Sequence, residues 1–192
     1  MPANEIVVVS GLPRSGTSLM MQMLDRGGIP ALTDEIRTAD HDNPKGYYEY
    51  ERVKRTKEDP TWLPLARGKV VKLVSSLLYD LPQTESYRVL FMRREIDEVL
   101  DSQEKMLARL NRPAAPRESM KKSFAIHLER LFHWLPWQSH IKCQEVNYHD
   151  LISQPQRQAA LIAEFLERQL DQAAMQAAVD HSLYRNRRQA GA

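Results

Sequence analysis

Glu5-Ile6-Val7-Val8-Val9-Ser10-Gly11-Leu12-Pro13-Arg14-Ser15-Gly16-Thr17-Ser18-Leu19-Met20 reads as a strand, a turn and the start of a helix. Ile6 to Val9 is a β-branched run with no polar alternation, the pattern of a strand buried on both faces, and Gly11 and Pro13 stop it. After Thr17, the residues Leu19, Met20, Met23 and Leu24 fall at helical spacing, and Gly27-Gly28 end the helix. Glycine at 11 and 16 lets the backbone curl, so that successive N–H groups and the helix N-terminus point at an anion such as a phosphate. The spacing Gly-x-x-x-x-Gly followed by Thr17-Ser18 matches a Walker A loop, except that its Lys is missing and Arg14 stands inside the loop instead.

Outward from this unit, residues 69–74, 87–92 and 141–146 predict three more short strands. Residues 75–82 read as a short helix or turn. Helices are predicted over 95–110 (Ile96, Val99, Leu100, Gln103, Met106, Leu107 and Leu110 in one stripe), over 117–135 (Met120, Phe124, Leu128, Leu131 and Leu135), and over 155–170 behind Pro155. Strands alternating with helices give an α/β, three-layer, P-loop-like fold: a central parallel sheet with helices on both faces, and ligands at the carboxyl ends of the strands. Residues 30–68, rich in Pro, Asp, Gly and Tyr, read as loops and short helices over that edge, facing a substrate.

The 192 residues suit one domain. A net charge of +2 is too small to imply nucleic-acid binding. No apolar run approaches the roughly 18 residues that span a bilayer, and no secretory leader is evident, so no membrane association and a cytoplasmic location are expected. The single Cys143 is expected as a core thiol, His127 as a residue bordering the core, and Trp62, Trp134 and Trp137 as structural residues. The six histidines show no metal-ligand spacing, and no Gly-x-Ser-x-Gly elbow supports hydrolysis. The strand at 87–92 ends in Arg93-Arg94 rather than in the acidic residue a magnesium-dependent nucleotide enzyme needs, so no metal is expected. A P-loop nucleotide or small-molecule kinase and a non-catalytic nucleotide-binding protein stand as alternatives.

Pro13-Arg14-Ser15-Gly16-Thr17-Ser18-Leu19-Met20 resembles the phosphosulfate-binding loop of sulfotransferases that use 3′-phosphoadenosine 5′-phosphosulfate (PAPS), especially tyrosylprotein sulfotransferases and their bacterial relatives. That family binds the 3′-phosphate through an Arg at a strand end and a Ser eight positions on, the spacing of Arg94 and Ser102. Residues 70–103 also look like cytosolic aryl sulfotransferases, with Lys72 on the strand and Leu81-Pro82 following. Asn147-Tyr148-His149-Asp150 before Pro155 is similar to a later strand-loop-helix, which implies Tyr148 near the nucleotide. The resemblance implies PAPS as donor, adenosine 3′,5′-bisphosphate as product, and binding by Pro13, Arg14, Ser15, Gly16, Thr17, Ser18, Arg94, Ser102 and Tyr148.

Two departures matter. The cytosolic members carry a catalytic His two residues after the strand Lys, where this chain has Val74, and their glycine-rich C-terminal clamp is replaced by a basic tail at 181–192 with Arg185, Arg187 and Arg188. That tail is either a substitute clamp or a solvated end. Sulfuryl transfer needs cations near the bridging oxygen, which Arg14 and Lys72, expected at its strand end, can supply, and a base for the acceptor hydroxyl. The base is expected among Glu35, Glu49 and Asp34. Glu35 lies as far beyond Arg14 as the catalytic Glu of tyrosylprotein sulfotransferases lies beyond their loop Arg, and Glu49 sits in a turn with Tyr47 and Tyr48. The acceptor is a small-molecule, sugar or peptidyl hydroxyl (or an amine), and neither its identity nor the oligomeric state is encoded legibly.

Overall fold

The computed structural model describes residues 5–34 and 46–180. Four strands, β1 (Ile6–Gly11), β2 (Val70–Val74), β3 (Tyr87–Arg93) and β4 (Ile141–Asn147), form one parallel sheet in the order β2-β1-β3-β4. Every residue of β1 is buried. The reason lies in the two-residue period of a strand: Ile6 and Val8 enter the core on one face, and Val7 and Val9 enter the core on the other. A strand with two apolar faces belongs in the middle of a sheet, where it is found.

On the first face lie α2 (Leu63–Ala66), α3 (Ile96–Arg109), α4 (Arg117–Trp134) and the 3-10 turns Ser75–Asp80 and Leu135–Trp137. On the second lie α1 (Thr17–Arg26), α5 (Tyr148–Ser153), α6 (Pro155–Leu166) and α7 (Gln172–Ala177). The parallel three-layer α/β architecture expected from the sequence is thus present. Among the described residues no helix is long and apolar enough to cross a membrane.

Several boundaries differ from expectation, each for a local reason. The helix expected over 155–170 stops at Leu166, because Glu167 takes a left-handed conformation (φ 51°) and Asp171 then accepts a hydrogen bond from the Ala174 amide at 2.9 Å to cap α7. Asn147 caps α5 in the same way, accepting from the His149 amide at 2.8 Å. The stripe on α3 outruns the core, so Leu110 just past its end is 51% exposed. Trp62 is fully buried, but Trp137 is 79% exposed and contributes no core packing, contrary to expectation. Cys143 is half-buried against the first core, and burial pushes its thiol up to about 12.

One polar feature lies inside the sheet. Arg88 of β3 and Glu5, just before β1, are both buried, with Nε to Oε2 at 2.8 Å. The second fork of Arg88 reaches Glu167 at 2.8 Å, and Nη1 donates to the Phe165 carbonyl. Removing one partner of a buried pair leaves an uncompensated charge, whereas replacing both by apolar groups is often neutral. Glu5→Leu alone is therefore expected to lower stability by about 3 kcal/mol, and Glu5→Leu/Arg88→Met to recover most of that loss; urea denaturation of the two variants checks it.

Candidate active site

The loop leaves β1 at Gly11, whose neighbours across the sheet are Val74 of β2 and Met92 of β3. It therefore opens between the carboxyl ends of two flanking strands. Three of its residues take positive φ: Gly11 at 152°, Arg14 at 69° and Gly16 at 100°. Such alternation turns successive amides toward one side of the chain, the geometry of an anion nest. Gly16 is the N-cap of α1, offers it no side-chain cap, and the first turn carries no acidic residue, so the positive end of the helix dipole faces the loop undiminished. Ser15 is 1% exposed, and its Oγ has no partner among the described residues. A buried hydroxyl left so inside an amide nest fits an anionic ligand that would supply the missing bond.

Gly16 is fixed by contact as well as by conformation. A β-carbon there would lie 2.3 Å from Cδ2 of Tyr148, the first residue of α5. The opposite side of the cluster is Arg94, immediately after β3, whose guanidinium carbon stands 4.6 Å from the Tyr148 ring centroid. Arg94 Nη1 donates to the Arg14 carbonyl at 3.2 Å, and its Nε pairs with Glu98 at 3.0 Å. Ser102, 5% exposed on α3, accepts a hydrogen bond from Arg14 Nε at 3.0 Å. Arg14, Gly16, Arg94, Ser102 and Tyr148, five of the residues singled out in the sequence, thus meet in one cluster. From the sequence, Asp97 or Glu98 could be no more than a surface partner for Arg94; it is Glu98 that pairs with it through Nε, and the pair is buried.

A second group stands over β2. Lys72 is the middle residue of that strand, opposite Val9, rather than at its end as expected. Its Nζ is 3.5 Å from Ser18 Oγ in the first turn of α1, 3.8 Å from Glu49 Oε1, and donates to the Tyr47 carbonyl. With its side chain 13% exposed, Lys72 is an interior cation held between the loop helix and the segment around Tyr47. Asp34 accepts the Glu51 amide through Oδ2 at 2.6 Å and so ties its own stretch of chain to the start of the 3-10 turn Glu51–Arg55. Glu35 and the basic tail at 181–192 lie outside the described residues.

Where cytosolic sulfotransferases carry their His, Val74 is 45% exposed. Next to Val74, the Oγ of buried Ser75 is 2.8 Å from Nε2 of His127 on α4. Burial lowers the pKa of this imidazole. His127 borders the core, as expected.

The sulfotransferase domain profile matches residues 4–191, nearly the whole length of the sequence. The chain belongs to the sulfotransferase domain family. Among solved structures it is similar to the sulfotransferase domain from the curacin biosynthetic pathway, with a TM-score of 0.56 and 14% identity over 94% of this chain and 89% of that one. At that identity the likeness speaks for the fold alone. No curated protein sequence matches significantly.

Two glycines with nearly the same φ separate strain from crowding. At Gly28, with φ 102°, an added β-carbon would meet nothing within 4 Å, whereas at Gly16, with φ 100°, it would meet the Tyr148 ring. Gly28→Ala is expected to cost about 1 kcal/mol from backbone strain alone, and Gly16→Ala at least about 2 kcal/mol with loss of nucleotide binding. Chemical denaturation of both variants and calorimetric titration check this.

Proposed function

We propose that this sulfotransferase domain moves the sulfuryl group of PAPS to a hydroxyl or amine acceptor, in line and without a metal ion. The observation that carries the reading is the convergence of Arg14, Arg94 and Ser102, from positions 80 and 88 residues apart, on the carboxyl edge of the sheet beside the amide nest. Such a cluster offers cationic and hydroxyl donors at a fixed distance from a phosphate loop, as a nucleotide phosphorylated at both ends requires. The loop amides and the buried Ser15 hydroxyl take the 5′-side anion, and Arg94 with Ser102 takes the 3′-phosphate.

In the transfer step an acceptor oxygen attacks sulfur while the bond to the bridging oxygen breaks, and negative charge moves onto the leaving phosphate. Lys72 is held beside Ser18 at the start of the loop helix, where a cation stabilises that charge, and Arg14 belongs to the loop itself. The acceptor proton goes to a carboxylate. Glu49, 3.8 Å from Lys72, and Glu35, favoured by resemblance to tyrosylprotein sulfotransferases, are the two bases in this reading. Strand β3 runs into Arg93 and Arg94, side chains that attract anions and would repel a magnesium ion, which favours sulfuryl transfer over a kinase reaction.

The reading is tested by titrating adenosine 3′,5′-bisphosphate into the protein with a metal chelator present. Binding is expected to persist, and Arg94→Ala to weaken it roughly tenfold to a hundredfold while leaving adenosine 5′-monophosphate almost untouched. Binding that vanishes with chelator, or equal weakening of both nucleotides, would overturn it. For the base, Glu35→Gln is expected to lower turnover by about a hundredfold or more with nucleotide affinity unchanged; single-turnover assays that show this loss in Glu49→Gln instead move the role to Glu49.

A further inference from the structure

Arg94 is constrained on three sides. Its Nε donates to Glu98 Oε2 at 3.0 Å, its Nη1 donates to the Arg14 carbonyl at 3.2 Å, and its plane lies over the Tyr148 ring at 4.6 Å. Glu98 stands in the first turn of α3, four residues after Arg94, and the two side chains are only 8% and 6% exposed. The carboxylate is thus buried inside a cluster of cations that reads an anion, where its own charge opposes that anion. By Coulomb's law alone, removing it should tighten phosphate binding. An unanchored arginine, by contrast, spends rotamer entropy each time it engages a ligand, and a planar fork recognises phosphate only in the right orientation.

We propose that Glu98 is a positioning residue that sets selectivity for the 3′-phosphate by fixing the plane and direction of the Arg94 guanidinium. The proposal rests on the donor reading above. Glu98 does not touch the phosphate; it acts through Arg94, and through Arg94 on the Arg14 carbonyl, whose residue is held at a φ of 69°. The hydrogen bond to Nε matters more here than the negative charge, so the two contributions pull selectivity in opposite directions and can be told apart by sign.

The experiment measures affinities for adenosine 3′,5′-bisphosphate and for adenosine 5′-monophosphate in the full chain carrying Glu98→Ala, Glu98→Met or Glu98→Gln. Ala and Met both remove the acceptor of the Nε hydrogen bond; Met keeps the side-chain volume, so the test survives if the smaller residue prevents folding. Gln removes the charge and keeps an acceptor oxygen. Ala and Met are expected to weaken the bisphosphate by about tenfold or more with the monophosphate within about threefold, and Gln to keep the wild-type ratio within about threefold. The proposal is overturned if Ala or Met leaves the ratio unchanged or raises it, as charge repulsion alone predicts, or if Gln loses as much as Ala. A wild-type protein that does not distinguish the two nucleotides overturns the donor reading itself, and this proposal with it; preserved wild-type selectivity with unaltered variants sinks the proposal alone.

Discussion

The ring of Tyr148 lies where a β-carbon on Gly16 would have to be, and the rest of the site is arranged around that contact. Tyr148 is placed by the end of β4, where the Asn147 side chain caps α5 and so fixes the direction in which the first helical residue points. One face of the cluster then meets the loop at Gly16, and Arg94 stacks on the ring from the end of β3. Arg94 in turn holds the carbonyl of Arg14. Three strand ends that share no local sequence are tied together by one aromatic side chain, and the glycine is required because only a hydrogen fits beneath it.

Positive charge at this edge is plentiful but is not left loose. Arg94 is countered by Glu98, Lys72 by Glu49, and Arg14 is bonded to Ser102. A buried cation without such a partner carries a desolvation cost of several kcal/mol, and pairing keeps it both charged and oriented. The same solution appears at the amino end of the sheet, where Arg88 of β3 meets Glu5 and Glu167. The two ends of the sheet differ in what accompanies the pairs: the carboxyl edge adds an amide nest and a helix N-terminus, which is why that edge alone suits an anion.

The sheet was legible because Ile6 to Val9 repeat no polar residue, and a strand of that kind has one place to go. Gly11 and Gly16 could be placed for a similar reason, because each bounds the turn between that strand and the next helix, whereas Arg94 and Ser102 were reached through the resemblance to sulfotransferases. What escaped the sequence were features decided by capping or by distant packing. Leu166 and Leu170 continue a helical spacing, but Glu167 turns left-handed between them, and Asp171 starts a new helix. Asp34 was read as a candidate base because it is acidic and sits in a loop, and what the sequence did not show is that its Oδ2 accepts the Glu51 amide. Lys72 was expected at a strand end although the strand was read as far as Val74; β2 does end at Val74, which leaves Lys72 in its middle. Glu98 could be read as a surface partner of Arg94 or as a first-turn acid favoured by the helix dipole, and what the sequence did not show is that the pair is buried beside the loop.

The order β2-β1-β3-β4 bears on how the chain is made. The central strand leaves the ribosome first, yet Val7 pairs with Val70 on one side and with Arg88 on the other. A nascent chain therefore carries a largely apolar strand with both edges unpaired until β2 is made, and with one edge unpaired until β3 follows. Parallel pairing at such sequence separation closes slowly, and exposed apolar strands invite association with other chains meanwhile. The glycine-rich loop and α1, which follow at once, can fold back over Val7 and Val9 and cover one face early. The face formed by Ile6 and Val8 is covered next, by α2 and the 3-10 turn Ser75–Asp80, both of which are made before β3; α3 and α4 complete that core afterwards.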